Sequence, residues 1–169
     1  MTRVLGIDPG LAATGFGIVD LDNGRLRYVA DGVITTQSTE SHAARLALIF
    51  DRVLELIAMH RPTLAAVETL YFSRNATSAI PVAEARGVVS LAVYRSGVPM
   101  HELSPHIIKQ AVVGSGRAEK QQVAAMVDVV LGLGRVQRPH HASDALAAAI
   151  AGAHHRSPAG AFGPHGGAV

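Results

Sequence analysis

The stretch Arg3-Val4-Leu5-Gly6-Ile7-Asp8-Pro9-Gly10, followed by Thr14-Gly15-Phe16-Gly17-Ile18-Val19-Asp20, decides the fold. An apolar run closed by an acid, a Pro-Gly turn and a second apolar run read as strands 3–8 and 14–21 of a hairpin. Asp22-Asn23-Gly24 is a strong turn sequence, so 25–35 reads as a third strand of a meander. The period then changes. Leu46, Ile49, Phe50, Val53, Leu56 and Ile57 recur at three- and four-residue spacing, which predicts a helix over 38–60 capped by Ser38, Thr39 or Ser41. Beyond Pro62, Leu64-Ala65-Ala66-Val67 is a short buried strand ending in Glu68.

Residues 69–76 read as a loop holding Tyr71, Phe72, Arg74 and Asn75. A helix over 77–96 is apolar or small on most faces, which is the pattern of a helix covered on two sides. Ala79, Ala83 and Gly87 form a stripe of small residues that permits close approach of a second subunit, or of the chain's own domain. Residues 98–101 read as a strand, and 105–112, 118–131 and 140–154 as helices, with Pro139 at the start of the last. Strands in a meander followed by strands alternating with helices give an α/β fold, a mixed sheet flanked by helices. The expected organisation is one domain over 1–154 and a flexible Gly-, Pro- and Ala-rich tail over 155–169.

Composition excludes several classes. With no cysteine among 169 residues there are no disulfides and no thiolate metal sites. No apolar run reaches the roughly 20 residues of a membrane span, and no signal segment opens the chain, so a cytoplasmic protein is expected. The net charge of +2 does not demand a polyanionic partner, and placement matters more. Arg74, Lys109, Arg117 and Lys120 fall in or beside loops expected to flank the acids.

Carboxylates at the ends of buried strands are costly unless something binds them. Asp8 and Glu68 end two strands that can lie side by side, and His141 and Asp144 share a helix face. Each has a plainer reading: Asp8 as a turn residue, Asp144 as an acid favoured by the helix dipole. Together, three carboxylates and an imidazole suit two Mg²⁺ ions, with Mn²⁺ as substitute, in a phosphodiester hydrolase.

These residues carry a family resemblance. Val4-Leu5-Gly6-Ile7-Asp8-Pro9-Gly10 with Thr14-Gly15-Phe16-Gly17 resembles the N-terminus of the RuvC family of crossover-junction endodeoxyribonucleases. So do Val67-Glu68 with Tyr71-Phe72 and Asn75, Lys109-Gln110-Ala111-Val112-Val113-Gly114, Ala118-Glu119-Lys120-Gln121-Gln122-Val123, and Ala142-Ser143-Asp144-Ala145-Leu146-Ala147. The resemblance implies a ribonuclease-H-like five-stranded sheet, a homodimer, and symmetric paired nicking of four-way (Holliday) DNA junctions. It implies metal binding and catalysis by Asp8, Glu68, His141 and Asp144, with histidine at 141 where many relatives carry aspartate. It also implies DNA contacts by Tyr71, Phe72, Lys109 and Lys120, with Arg74, Asn75, Ser115 and Arg117 as neighbours, and a partnership with a branch-migration complex of the RuvA and RuvB type. The alternatives are a phosphate- or nucleotide-binding domain of the actin-like ATPase superfamily, whose hairpin also carries an Asp-x-Gly, a superfamily nuclease with another substrate, and a non-catalytic junction binder.

Overall fold

The structure, a computed structural model, describes residues 1–69, 76–134 and 137–155, with backbone alone at 76–78. Its elements are β1 (Thr2–Asp8), β2 (Ala13–Asp22), β3 (Arg25–Thr35), α1 (His42–His60), β4 (Leu64–Glu68), α2 (Ala76–Arg95), β5 (Met100–Leu103), α3 (Pro105–Val113), α4 (Lys120–Leu131) and α5 (His140–His154). The sheet runs in the order β3-β2-β1-β4-β5. The meander is antiparallel, whereas β4 lies parallel to β1 and β5 parallel to β4. This is the expected mixed five-stranded sheet flanked by helices.

The meander forms where its turns demand it. Asn23 and Gly24 both have positive φ, 48° and 78°, the conformation that matches a two-residue hairpin turn to strand twist. The two-residue alternation along each strand then sorts side chains into two cores. Leu5, Ile7, Ile18, Ala65 and Val67 pack with Ile49, Val53 and Ile57 of α1 and Ala85, Val89, Ala92 and Val93 of α2. Val4, Val19, Ala66 and Leu103 pack on the other face with α3, α4 and α5. Asp8 therefore falls on the α5 face, in step with Val4 and Gly6, and Glu68 falls there in step with Ala66.

Glycine lets α5 lie directly on the sheet. A Cβ on Gly6 would stand 2.0 Å from the Ala145 carbonyl oxygen, and one on Gly15 would stand 1.9 Å from that of His141. With alanines at 145, 147, 148, 149 and 151 buried against it, the helix sits close enough for its first turn to overhang the end of β1.

Some boundaries move inward from expectation for local reasons. α1 begins at His42, because the Ser41 side chain accepts from the Ala44 N–H (3.3 Å) as its cap. α4 begins at Lys120, with the Glu119 N–H bonded to the Gln122 side chain (2.8 Å). The last strand is 100–103 rather than 98–101. Pro99 has no N–H to give the ladder and contributes only its carbonyl, which accepts from Ala65 (2.8 Å). Among the described residues no helix is long and apolar enough to cross a membrane.

Candidate active site

The C-terminal ends of β1 and β4 and the first turns of α5 and α4 enclose a cleft of about 340 Å³. Asp8, Glu68, Lys109, Lys120, His141 and Asp144 all line it. Asp8 and Glu68 arrive as neighbours because Ile7 pairs with Val67 in the parallel ladder, one residue before both acids. The turn after Asp8 is pinned by Thr14, fully buried, whose hydroxyl donates to the Gly10 carbonyl (2.7 Å) and accepts from the Gly10 N–H (3.2 Å).

Two polar pairs organise the cleft. His141 Nδ1 lies 2.7 Å from Asp8 Oδ2, and Lys120 Nζ lies 2.7 Å from Asp144 Oδ2. Glu68 has no such partner among the hydrogen bonds of the described residues. Burial, then the negative charges of Asp8 and Asp144, push its carboxyl up to about 7, against the weaker pull of Lys120 and Lys109. Asp8 also moves upward, through burial first; the bond to His141 opposes this and the Asp144 charge adds to it. Lys120 moves upward, chiefly through its bond to Asp144.

These shifts report partly buried carboxyls that crowd one another. Three carboxylates and an imidazole, those of Asp8, Glu68, Asp144 and His141, are a donor set whose chemistry suits hard divalent ions. The four side chains stand apart instead of forming a closed cage: among the described residues no three His, Asp or Glu side chains stand in metal-binding arrangement. His141 engages Asp8, and Lys120 engages Asp144.

Of the residues expected to meet DNA, Lys109 and Lys120 line the cleft, whereas Ser115 and Arg117 sit on the α3–α4 connection and do not. Tyr71, Phe72, Arg74 and Asn75 lie outside the described residues. One cationic neighbour escaped the sequence reading. Arg86 of α2 lines an adjoining cleft of about 280 Å³ together with Asp8, Glu68 and Thr69, held by Glu102 at 2.8 Å. An arginine in the middle of a helix apolar nearly all round was its only signal.

Residues 4–154 match the family model described as "Crossover junction endodeoxyribonuclease RuvC". The chain belongs to the RuvC family. It is 52% identical over 147 residues to the crossover junction endodeoxyribonuclease RuvC of Treponema denticola, covering 87% of this chain and 83% of that one. The Thermus thermophilus RuvC structure superposes with a TM-score of 0.81 at 38% identity, over 89% of this chain and 92% of that chain. Thermus thermophilus RuvC in complex with a Holliday junction substrate gives 0.80 at 36% identity, with the same coverage of 89% and 92%. The resemblance carried by the Asp8, Glu68 and Asp144 motifs thus extends over the whole RuvC fold.

Proposed function

We propose that this RuvC-family protein is a metal-dependent endonuclease that resolves four-way DNA junctions by symmetric paired nicking. The observation that carries the proposal is the convergence of Asp8, Glu68, His141 and Asp144 with Lys109 and Lys120 in one cleft. The Thermus thermophilus relative in complex with a Holliday junction supports the choice of substrate. Two divalent ions, Mg²⁺ or Mn²⁺, supply when bound an activated water and stabilisation of the departing 3′ oxygen. Asp8, Glu68, Asp144 and His141 would hold them. Lys109 and Lys120 neutralise backbone phosphate beside the acids, and a phosphate that draws Lys120 away frees the Asp144 carboxylate. Tyr71 and Phe72 stack on bases opened at the crossover, with Arg74, Asn75, Ser115 and Arg117 along the approaching arms.

A junction with two-fold symmetry calls for two sites related by a dyad, hence a homodimer. The outer face of α2 suits that role. Ile80, Leu91 and Tyr94 are 59, 52 and 71% exposed, on the side of the helix opposite buried Ala85, Val89 and Val93. Gly87 lies on the same stripe, with open space where a Cβ would be. The catalytic domain spans 1–154, acts in the cytoplasm and takes over the junction from a branch-migration complex of the RuvA and RuvB type.

The test is cleavage of a synthetic mobile four-way junction beside linear duplex, in Mg²⁺ or Mn²⁺, by wild type and Asp144→Asn. Paired nicks in the junction alone, lost in the variant, are expected. Binding without cutting under either metal would favour a non-catalytic junction binder. Equal cutting of linear duplex would discard junction selectivity.

A further inference from the structure

The helix that brings His141 and Asp144 to the cleft has no side-chain cap of its own. α5 starts from Pro139, whose carbonyl accepts from Ala142 (3.1 Å) and Ser143 (3.2 Å), and among the described residues no side chain caps its free N–H groups. Its bed on the sheet is mostly glycine and alanine, with Leu146 and Ile150 as the large side chains buried in it. That packing sets the distance of the helix from the sheet, and apolar contact, being non-directional, leaves its orientation to be fixed by polar contacts.

Arg138, one residue before Pro139, supplies directional contacts at this point. Its side chain is only 10% exposed. One guanidinium nitrogen, Nη1, donates to Asp128 of α4, and Nε lies 3.3 Å from Asp31 of β3. Asp31 also accepts from the Tyr28 hydroxyl (2.7 Å), and the Tyr28 ring stands 6.0 Å from the Arg138 guanidinium carbon. The planar, forked guanidinium fixes direction as well as distance, which an ammonium does not.

The partner on α4 matters most. α4 holds Lys120, bonded to Asp144, at its start, and Asp128 two turns later, about 12 Å along the axis. The chain of α5 is therefore tied to α4 twice, by Lys120–Asp144 inside the cleft and by Asp128–Arg138 outside it. Two ties along one seam oppose both sliding and rotation, and Asp31 anchors the seam to the sheet edge.

We propose that Arg138, through Asp128 and Asp31, is a positioning residue that sets the axial seat of α5 and so holds His141 and Asp144 against Asp8. Its consequence for catalysis rests on the reading of the cleft as the catalytic site. A displacement on the order of 1 Å at a reacting centre costs about 10²-fold in rate.

The experiment compares wild type with Arg138→Met, Arg138→Lys and Asp31→Asn, each first shown to be folded at the assay temperature by its cooperative thermal transition. In metal-free protein, exchange of the Ala142, Ser143 and Asp144 amides is expected to quicken at least about tenfold in Arg138→Met, while β1 and β4 stay protected. Under single-turnover conditions with saturating junction, the cutting rate is expected to fall about 10–100-fold. Junction Kd should stay within about twofold, and the Mn²⁺ concentration for half-maximal cutting should rise. Arg138→Lys should restore only part of the loss, because a point charge cannot serve both carboxylates in the fork geometry. A folded Arg138→Met with wild-type exchange, cutting rate and metal requirement overturns the proposal. If that variant does not fold, Asp31→Asn, which weakens one arm only, carries the same readouts, and wild-type values there overturn it. Should wild type itself cut no junction, the catalytic reading fails, yet the exchange measurement still decides whether Arg138 seats the helix.

Discussion

Glu68 ends β4 as a carboxylate with two acidic neighbours, and this has a measurable consequence for metal-free protein. Its ordinary value of 4.5 rises to about 7 in the fold. An acid whose folded value is raised contributes its full stability below 4.5, where both states are protonated, and loses it as pH rises through 7. The folded state holds the proton over that window and the unfolded chain does not. Glu68→Gln removes this dependence. In the presence of a chelator it should gain about 1–2 kcal/mol over wild type between pH 4.5 and 8, after discounting for a carboxyl that is partly in contact with solvent. Urea unfolding at the two pH values checks it, and an equal difference at both contradicts it. The same substitution should abolish cutting, so stability and activity part company at this residue. Glu68 was legible in the sequence because a glutamate closing a short buried strand is unfavourable there, whereas Asp8 and Asp144 stood out only in combination, each having a plainer reading as a turn residue or a first-turn helix acid. Arg138 and Arg86 were not legible: their partners lie on other elements, 107 residues away for Asp31, and no local pattern announces such a pair.

At the level of elements, the seat of α5 depends on missing side chains as much as on present ones. Gly15→Ala would place a methyl 1.9 Å from the His141 carbonyl oxygen, which is backbone and cannot rotate aside. The first turn of α5 must lift, taking His141 off Asp8. Overpacking of this kind costs about 1–3 kcal/mol. Cutting should fall about 100-fold or more. Thermal unfolding and single-turnover rates measure the two, and a folded variant with undiminished rate would show that the helix tolerates the lift. The three meander strands and α5 were readable almost to the residue, since an Asp-Asn-Gly turn and a Pro before an alanine-rich helix mark boundaries locally. β5 was displaced by two residues because it is a four-residue strand with His101 and Glu102 inside it, and only the parallel pairing with β4 defines its limits. The close approach of α5 was written as glycines in β1 and β2, but those glycines name no partner until the helix is laid across them.

Across the whole molecule, the proposed chemistry couples two properties, a charged approach to DNA and a two-fold arrangement of sites. Lys109 lines the cleft from α3 and is not among the proposed metal ligands, although its charge acts on Glu68. If it neutralises one phosphate, Lys109→Ala should make the plot of log affinity for the junction against log salt shallower by about 0.9. An unchanged slope removes it from the contact surface. The second property rests on α2, whose two faces are both apolar but differently employed. Ala85, Val89, Ala92 and Val93 are consumed by the core, while Ile80, Leu91 and Tyr94 remain outside it. The sequence showed a helix with too many apolar residues for one face, and the fold sorts each residue to its side. Ala83 lies on the outward side beside Gly87, half-buried at the edge of the stripe. An arginine there sets two like charges near a dyad and desolvates both on association, a penalty of several kcal/mol that an apolar helix pair does not offset. Ala83→Arg should therefore sediment as a monomer where wild type sediments as a dimer. The fold and the cleft stay intact, because neither core contains residue 83. On a cruciform plasmid the wild type is expected to give linear product from two coordinated nicks, and the variant mainly nicked circles from single events. A wild type that is monomeric at assay concentration, or a variant that still linearises the plasmid in one binding event, would sever paired cutting from the α2 face.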